Sequence, residues 1–187
     1  MLDRDDLVAA LHARDVCYLA PTPHGDERVL TDNELILGLA QTKDARLRFA
    51  LAALLLIHPE LAEPVAHLAE HNTGLEGLRK HYLAAMYLQR MWRTRLRMAF
   101  GEKALIPERF TDELNLPAAE VMNGELGLYH LTENSVFNDW SSYEQVIELI
   151  CEPKSKLSSN NSFFFMSIMR RAASYCGLYV CLPRCSR

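Results

Sequence analysis

Long apolar runs are missing from this sequence. The longest, residues 49–57, covers nine positions, about half of the ~18–20 that a membrane helix requires. Strand signals are missing as well: no stretch alternates apolar and polar residues between turn signals. Glycine is scarce, at 8 of 187 residues, and no phosphate-loop pattern, nucleophile elbow or H-E-x-x-H pair occurs. The chain opens Met-Leu-Asp-Arg-Asp-Asp, acidic where a secretory leader carries cations. A cytoplasmic location is therefore expected, and with it reduced thiols. Four of the five cysteines, Cys151, Cys176, Cys181 and Cys185, fall after residue 150. Their spacing matches no paired zinc pattern. No cofactor or metal is expected.

What the sequence does have is an uneven distribution of charge. The formal net charge is −4, but residues 75–100 carry 6 basic side chains and 1 acidic one, whereas residues 101–150 carry 2 basic and 10 acidic. Two readings follow. Either the basic stretch packs beside acidic segments of its own chain, as surface charges commonly do, or it meets an external anion or protein.

The length fits one domain, or one domain plus a tail. Asp3 is placed to cap a first helix over residues 2–13. Thr31 and Glu34 form a capping box, in which the hydroxyl accepts from the third helical amide and the carboxylate reaches back. Asp44 opens a helix whose second half is apolar on every side, the mark of a central helix. Pro59 stops it, and Pro64 suits the first turn of the next. Residues 75–100 read as one long basic helix, and residues 108–114 as a short helical pattern. A looser acidic stretch, punctuated by Pro117 and Gly124, follows. Ser141 and Glu144 repeat the capping-box spacing before Tyr143, Val146 and Ile147. The expected fold is all-α, an irregular bundle of six or seven helices over residues 1–152. Residues 153–187, with a polar stretch at 154–162, read as a linker and a poorly patterned tail.

Arg90, Arg93 and Arg97 lie at i, i+3 and i+7 and share one face of an unbroken helix. Tyr87 and Trp92 are near them. Arginine beside tyrosine and tryptophan is the composition of protein–protein anchors and also of phosphate and base grips. These five residues are the candidate partner-binding set. His67 and His71 stand at i, i+4, but two ligands without a third make no zinc site. A helical ribonuclease of the HEPN type would need arginine, four to six residues, then histidine. Arg48 and His58 are separated by nine residues and Arg79 and His81 by one, so that signature is absent.

Three segments carry a resemblance: DARLRFALAALLLIHPE at 44–60, YLAAMYLQRMWRTRL at 82–96 and NDWSSYEQVI at 138–147. In order and spacing they resemble a family of uncharacterised prokaryotic helical proteins that accompany minimal nucleotidyltransferases in toxin–antitoxin-like pairs. The resemblance covers about residues 1–150 and is silent about chemistry. It implies a non-enzymatic protein that binds and regulates a protein partner, with a nucleotidyltransferase as the implied candidate. A nucleic-acid-binding module built on the basic helix 79–97, and a helical nuclease of unrecognised type, remain the alternatives.

Overall fold

The computed structural model describes residues 2–20, 29–72, 75–133 and 140–152. The tail expected over 153–187 lies outside the described residues. Among the described residues the chain is all-helical, with eight α-helices, two short 3-10 turns and no strand. The helices are α1 (Arg4–His12), α2 (Asp32–Gln41), α3 (Ala45–Ile57), α4 (Ala62–His71), α5 (Glu76–Met91), α6 (Arg93–Phe100), α7 (Glu125–Glu133) and α8 (Trp140–Cys151). No single described helix is long and apolar enough to cross a membrane.

The first three helices start where local chemistry dictates. The Asp3 carboxylate accepts from the Arg4 amide at 2.7 Å. The Thr31 hydroxyl accepts from the Glu34 amide at 3.3 Å while Glu34 Oε2 accepts from the Thr31 amide at 3.0 Å. The Asp44 carboxylate accepts from the Arg46 amide at 2.9 Å. Each satisfies a helix-start donor that would otherwise lack a partner. Pro59 ends α3 and begins a 3-10 turn, Pro59–Leu61, that leads into α4.

Two helices form the centre. Residues 50–57 of α3 and 81–89 of α5 are buried without interruption, and the two helices pack on each other. The other helices shield this pair: α1, α2 and α8 lie against α3, while α4, α7 and α8 lie against α5. Leu51, Leu54 and Leu55 are fully buried, and each such side chain contributes about 1.5–3 kcal/mol.

Between α6 and the second 3-10 turn, Val121–Gly124, the chain crosses the surface without regular structure. Segments of this length need dedicated partners, and polar side chains of α5 supply them. The Tyr82 hydroxyl donates to the Pro107 carbonyl at 2.8 Å and the Tyr87 hydroxyl to the Pro117 carbonyl at 2.7 Å. The Gln89 amide donates to the Ala104 carbonyl at 2.9 Å and accepts from the Ile106 amide at 2.7 Å. The acidic segment 101–120 is thus a strap pinned along the basic helix.

Several local expectations are corrected. Residues 75–100 are not one helix, because Trp92, at φ −106° and ψ 20°, separates α5 from α6. Apolar spacing thins after Met91, and only Leu96 of α6 is fully buried, so the helix leaves the core there. Residues 108–114 do not form a helix. Phe110 takes a positive φ of 68° and packs edge-on to Tyr82, with ring centroids 5.4 Å apart. Helix α7 forms within the stretch that was expected to be loose. Ser141 lies inside α8, one residue past its start, and so is not its cap.

Candidate interaction surface

The five residues singled out from the sequence do not end up together. Tyr87 is fully buried. Its ring lies against Gly127 of α7, its hydroxyl holds the strap, and burial pushes its pKa up to about 12. It therefore contributes nothing to a surface. Arg90 is also largely withdrawn, with a side chain only 12% exposed. It donates to Glu120 Oε1, Gln89 Oε1 and the Ile106 carbonyl, each at 3.4 Å. Arg90 is a clamp on the strap.

Arg93 and Arg97 differ from it because the break at Trp92 turns α6 outward. Their side chains are 60% and 59% exposed. Both lean toward one carboxylate, Glu102, at 3.5 Å and 3.9 Å. Two cations sharing one solvated anion are weakly held, since exposed pairs of this kind contribute about 0–1 kcal/mol. Trp92, Leu96 and Phe100, at i, i+4 and i+8, face inward and pack on the core. The opposite face presents Arg93, Thr94, Arg97 and Met98. Met98 is 83% exposed.

Trp92 is partly buried. Its indole Nε1 is shielded from solvent and has no hydrogen-bond partner among the described residues. The Arg95 guanidinium lies 5.7 Å from its ring centroid, an attractive cation–π arrangement. Burial raises the pKa of the Cys151 thiol of α8, and the positive charge of Arg95 partly offsets the rise. These contacts tie α6 to α8.

Sequence spacing alone missed Met98. The signal was nevertheless present: once Leu96 is taken as the anchor of a short helix, residues 94 and 98, two positions to either side, must face away. Arg79, nearer the start of the stretch, is engaged at home. Arg79 pairs with Glu113 at 3.0 Å, caps the Ala69 carbonyl at the end of α4 and lies over the Phe110 ring. In the same region Arg109 of the strap bridges Glu63 and Glu70 of α4 at 2.9 Å and 3.1 Å.

Beneath α6 there is a cavity of only about 20 Å³, lined by residues that include Leu56, Gln89 and Leu96. That is room for about one water molecule and not for a substrate. A second depression of about 590 Å³, bordered by Leu116, Pro117 and His130, is open to solvent. His67 and His71 stack with ring centroids 4.2 Å apart. Among the described residues no three His, Cys, Asp or Glu side chains gather as metal ligands.

No family model, curated protein or solved structure matches this chain. A functional reading therefore rests on the surface itself and on the sequence resemblance.

Proposed function

We propose that the chain is a non-enzymatic helical protein that binds and regulates a protein partner through the outer face of α6. The observation that carries this reading is the pairing of two exposed guanidiniums, which share a single carboxylate, with the exposed Met98. Arginine, methionine and tryptophan are enriched at protein interfaces. The sequence resemblance nominates a nucleotidyltransferase as the partner, in a toxin–antitoxin-like pair.

Nucleic-acid binding through the basic helix 79–97 has less support. Arg79 and Arg90 are committed to carboxylates of the strap, which leaves few cations to follow a phosphate backbone. The helical nuclease has no supporting constellation.

The test is affinity capture from native extract on immobilised full chain, with wild type beside the double variant Arg93→Glu, Arg97→Glu. The expected result is one protein retained by wild type and lost from the variant, identified by mass spectrometry as a nucleotidyltransferase. Identical capture on both chains would remove α6 from the proposal. Retention of nucleic acid in place of protein would favour the alternative.

A further inference from the structure

The chain shows how it satisfies its own basic helix. The irregular acidic strap supplies Glu113 to Arg79 at 3.0 Å and Glu120 to Arg90 at 3.4 Å. The backbone beside these carboxylates is anchored by Tyr82, Tyr87 and Gln89. At α6 this arrangement gives out. Among the described residues Glu102 alone pairs with Arg93 and Arg97, at distances longer than a good charged hydrogen bond, and Met98 is exposed.

We infer that the partner segment seated on α6 is an acidic strand or helix that places two carboxylates alongside an apolar side chain. It would do in trans what residues 101–120 do in cis. This inference rests on the protein-binding reading above and specifies the chemistry of the partner. Arg93 and Arg97 are one helical turn apart, about 5–6 Å along the axis. Carboxylates at i, i+4 of a helix or i, i+2 of a strand have nearly the same spacing. Met98, exposed about a quarter turn beyond Arg97, provides an apolar contact that flanks the two ion pairs. A bare polyanion would satisfy the guanidiniums and leave Met98 in water. Charge also disfavours a long polyanion, which would run from α6 onto the carboxylates of the strap.

The experiment uses the full chain and two labelled peptides of equal charge in fluorescence anisotropy. One is a peptide of about 20 residues, roughly 30 Å as a helix, that repeats Glu-Glu-Leu-Leu. The other is oligoglutamate. The glutamate–leucine peptide is expected to bind at least about tenfold more tightly than oligoglutamate, a difference of the size one buried side chain can supply. Its affinity should fall about tenfold or more in Arg93→Glu, Arg97→Glu, and also fall in Met98→Ser, which leaves the charges in place. Circular dichroism of both variants should match wild type, because the replaced side chains are exposed. The inference is overturned by no binding at about millimolar peptide, or by equal binding of oligoglutamate or a single-stranded oligonucleotide. Indifference to the α6 variants overturns it too. A wild-type dimer that Arg93→Glu, Arg97→Glu dissolves would instead make a second copy the occupant and overturn it. Should the native partner depend on Arg93 and Arg97 while the peptide fails to bind, only this inference falls and protein binding through α6 stands.

Discussion

His81 sits in the centre of the bundle, only 3% exposed. Its ring meets Phe49 of α3 at 5.6 Å between centroids and Tyr143 of α8 at 6.0 Å, and its Nδ1 lies 3.3 Å from the Tyr143 hydroxyl. Burial lowers its pKa from 6.5 to about 4, and repulsion from Arg48 and Lys80 acts in the same direction. A neutral ring accepting from the hydroxyl fits this environment. Protonation below pH 6.5 favours the unfolded chain, which takes up the proton more readily. Stability that is intact above that pH is therefore lost as the pH falls toward about 4, to the extent of about 3 kcal/mol. Urea denaturation at a series of pH values should show this slope in wild type, and His81→Gln should lack that component. An equal slope in the variant would assign the acid sensitivity to carboxylates alone. Two glycines give a paired prediction. A Cβ at Gly127 would clash with the Tyr87 ring, whereas one at Gly77 would meet nothing within 4 Å. Gly127→Ala should destabilise by about 1–3 kcal/mol. Gly77→Ala, in the exposed first turn of α5, should stabilise by about half a kcal/mol. Chemical denaturation of both variants measures the contrast in sign.

Among the elements, the legible ones are those whose signals are local. Asp3, Thr31 with Glu34, and Asp44 each sit within four residues of the amide they cap, so the starts of α1, α2 and α3 could be read directly. The all-apolar second half of α3 correctly marked the centre. The break at Trp92 was not legible because neither proline nor glycine causes it. It follows from packing: α5 is enclosed by the strap and its neighbours, whereas α6 has one fully buried side chain. Helix α7 was hidden because Gly124 read as a breaker just ahead of it, and a second glycine, Gly127, lies within it. Both are instead contact residues, since a Cβ at Gly124 would lie 2.7 Å from the Tyr87 carbonyl oxygen and Gly124 takes a φ of +88°. The candidate site divided for the same reason. Arg93 and Arg97 kept their shared face, while Tyr87 and Arg90 were drawn into bonds with Pro117 and Glu120, 30 residues away in sequence and invisible to helical periodicity. This division predicts different outcomes for three similar substitutions. Arg90→Ala removes a largely buried clamp on the strap and should cost about 1–2 kcal/mol. Arg93→Ala and Arg97→Ala should each change stability by less than about half a kcal/mol. Thermal unfolding would rank them, and equal losses at all three positions would show that α6 is as firmly held as α5.

At the scale of the whole molecule, the acidic and basic blocks of the sequence are largely each other's partners. Among the described residues the strap lies over the basic helix, Arg109 ties it back to α4, and Arg93 and Arg97 of α6 project beyond it. That arrangement limits what the protein can do with a nucleic acid. In duplex DNA each neutralised phosphate releases counterions, and the logarithm of affinity falls with the logarithm of salt with a slope of about −0.9 per contact. With Arg93 and Arg97 exposed and Arg95 partly so, α6 supports a slope of about −2 to −3. Proteins that bind nucleic acid as their function make roughly 6–10 such contacts and show correspondingly steeper slopes. The net charge of −4 adds a repulsive background that weakens the encounter further. Anisotropy titrations of single-stranded and duplex oligonucleotides across a salt series are therefore expected to show weak binding, in the range of about 10⁻⁴ M or above at physiological salt, with that shallow slope. A slope of about −6 or steeper would require cations beyond those α6 presents. Those would have to come from other exposed cations, such as Lys43, Arg46 and Lys103, or from Arg79 and Arg90 once the strap leaves them, and in the second case the basic helix would be a nucleic-acid surface that its own chain keeps covered.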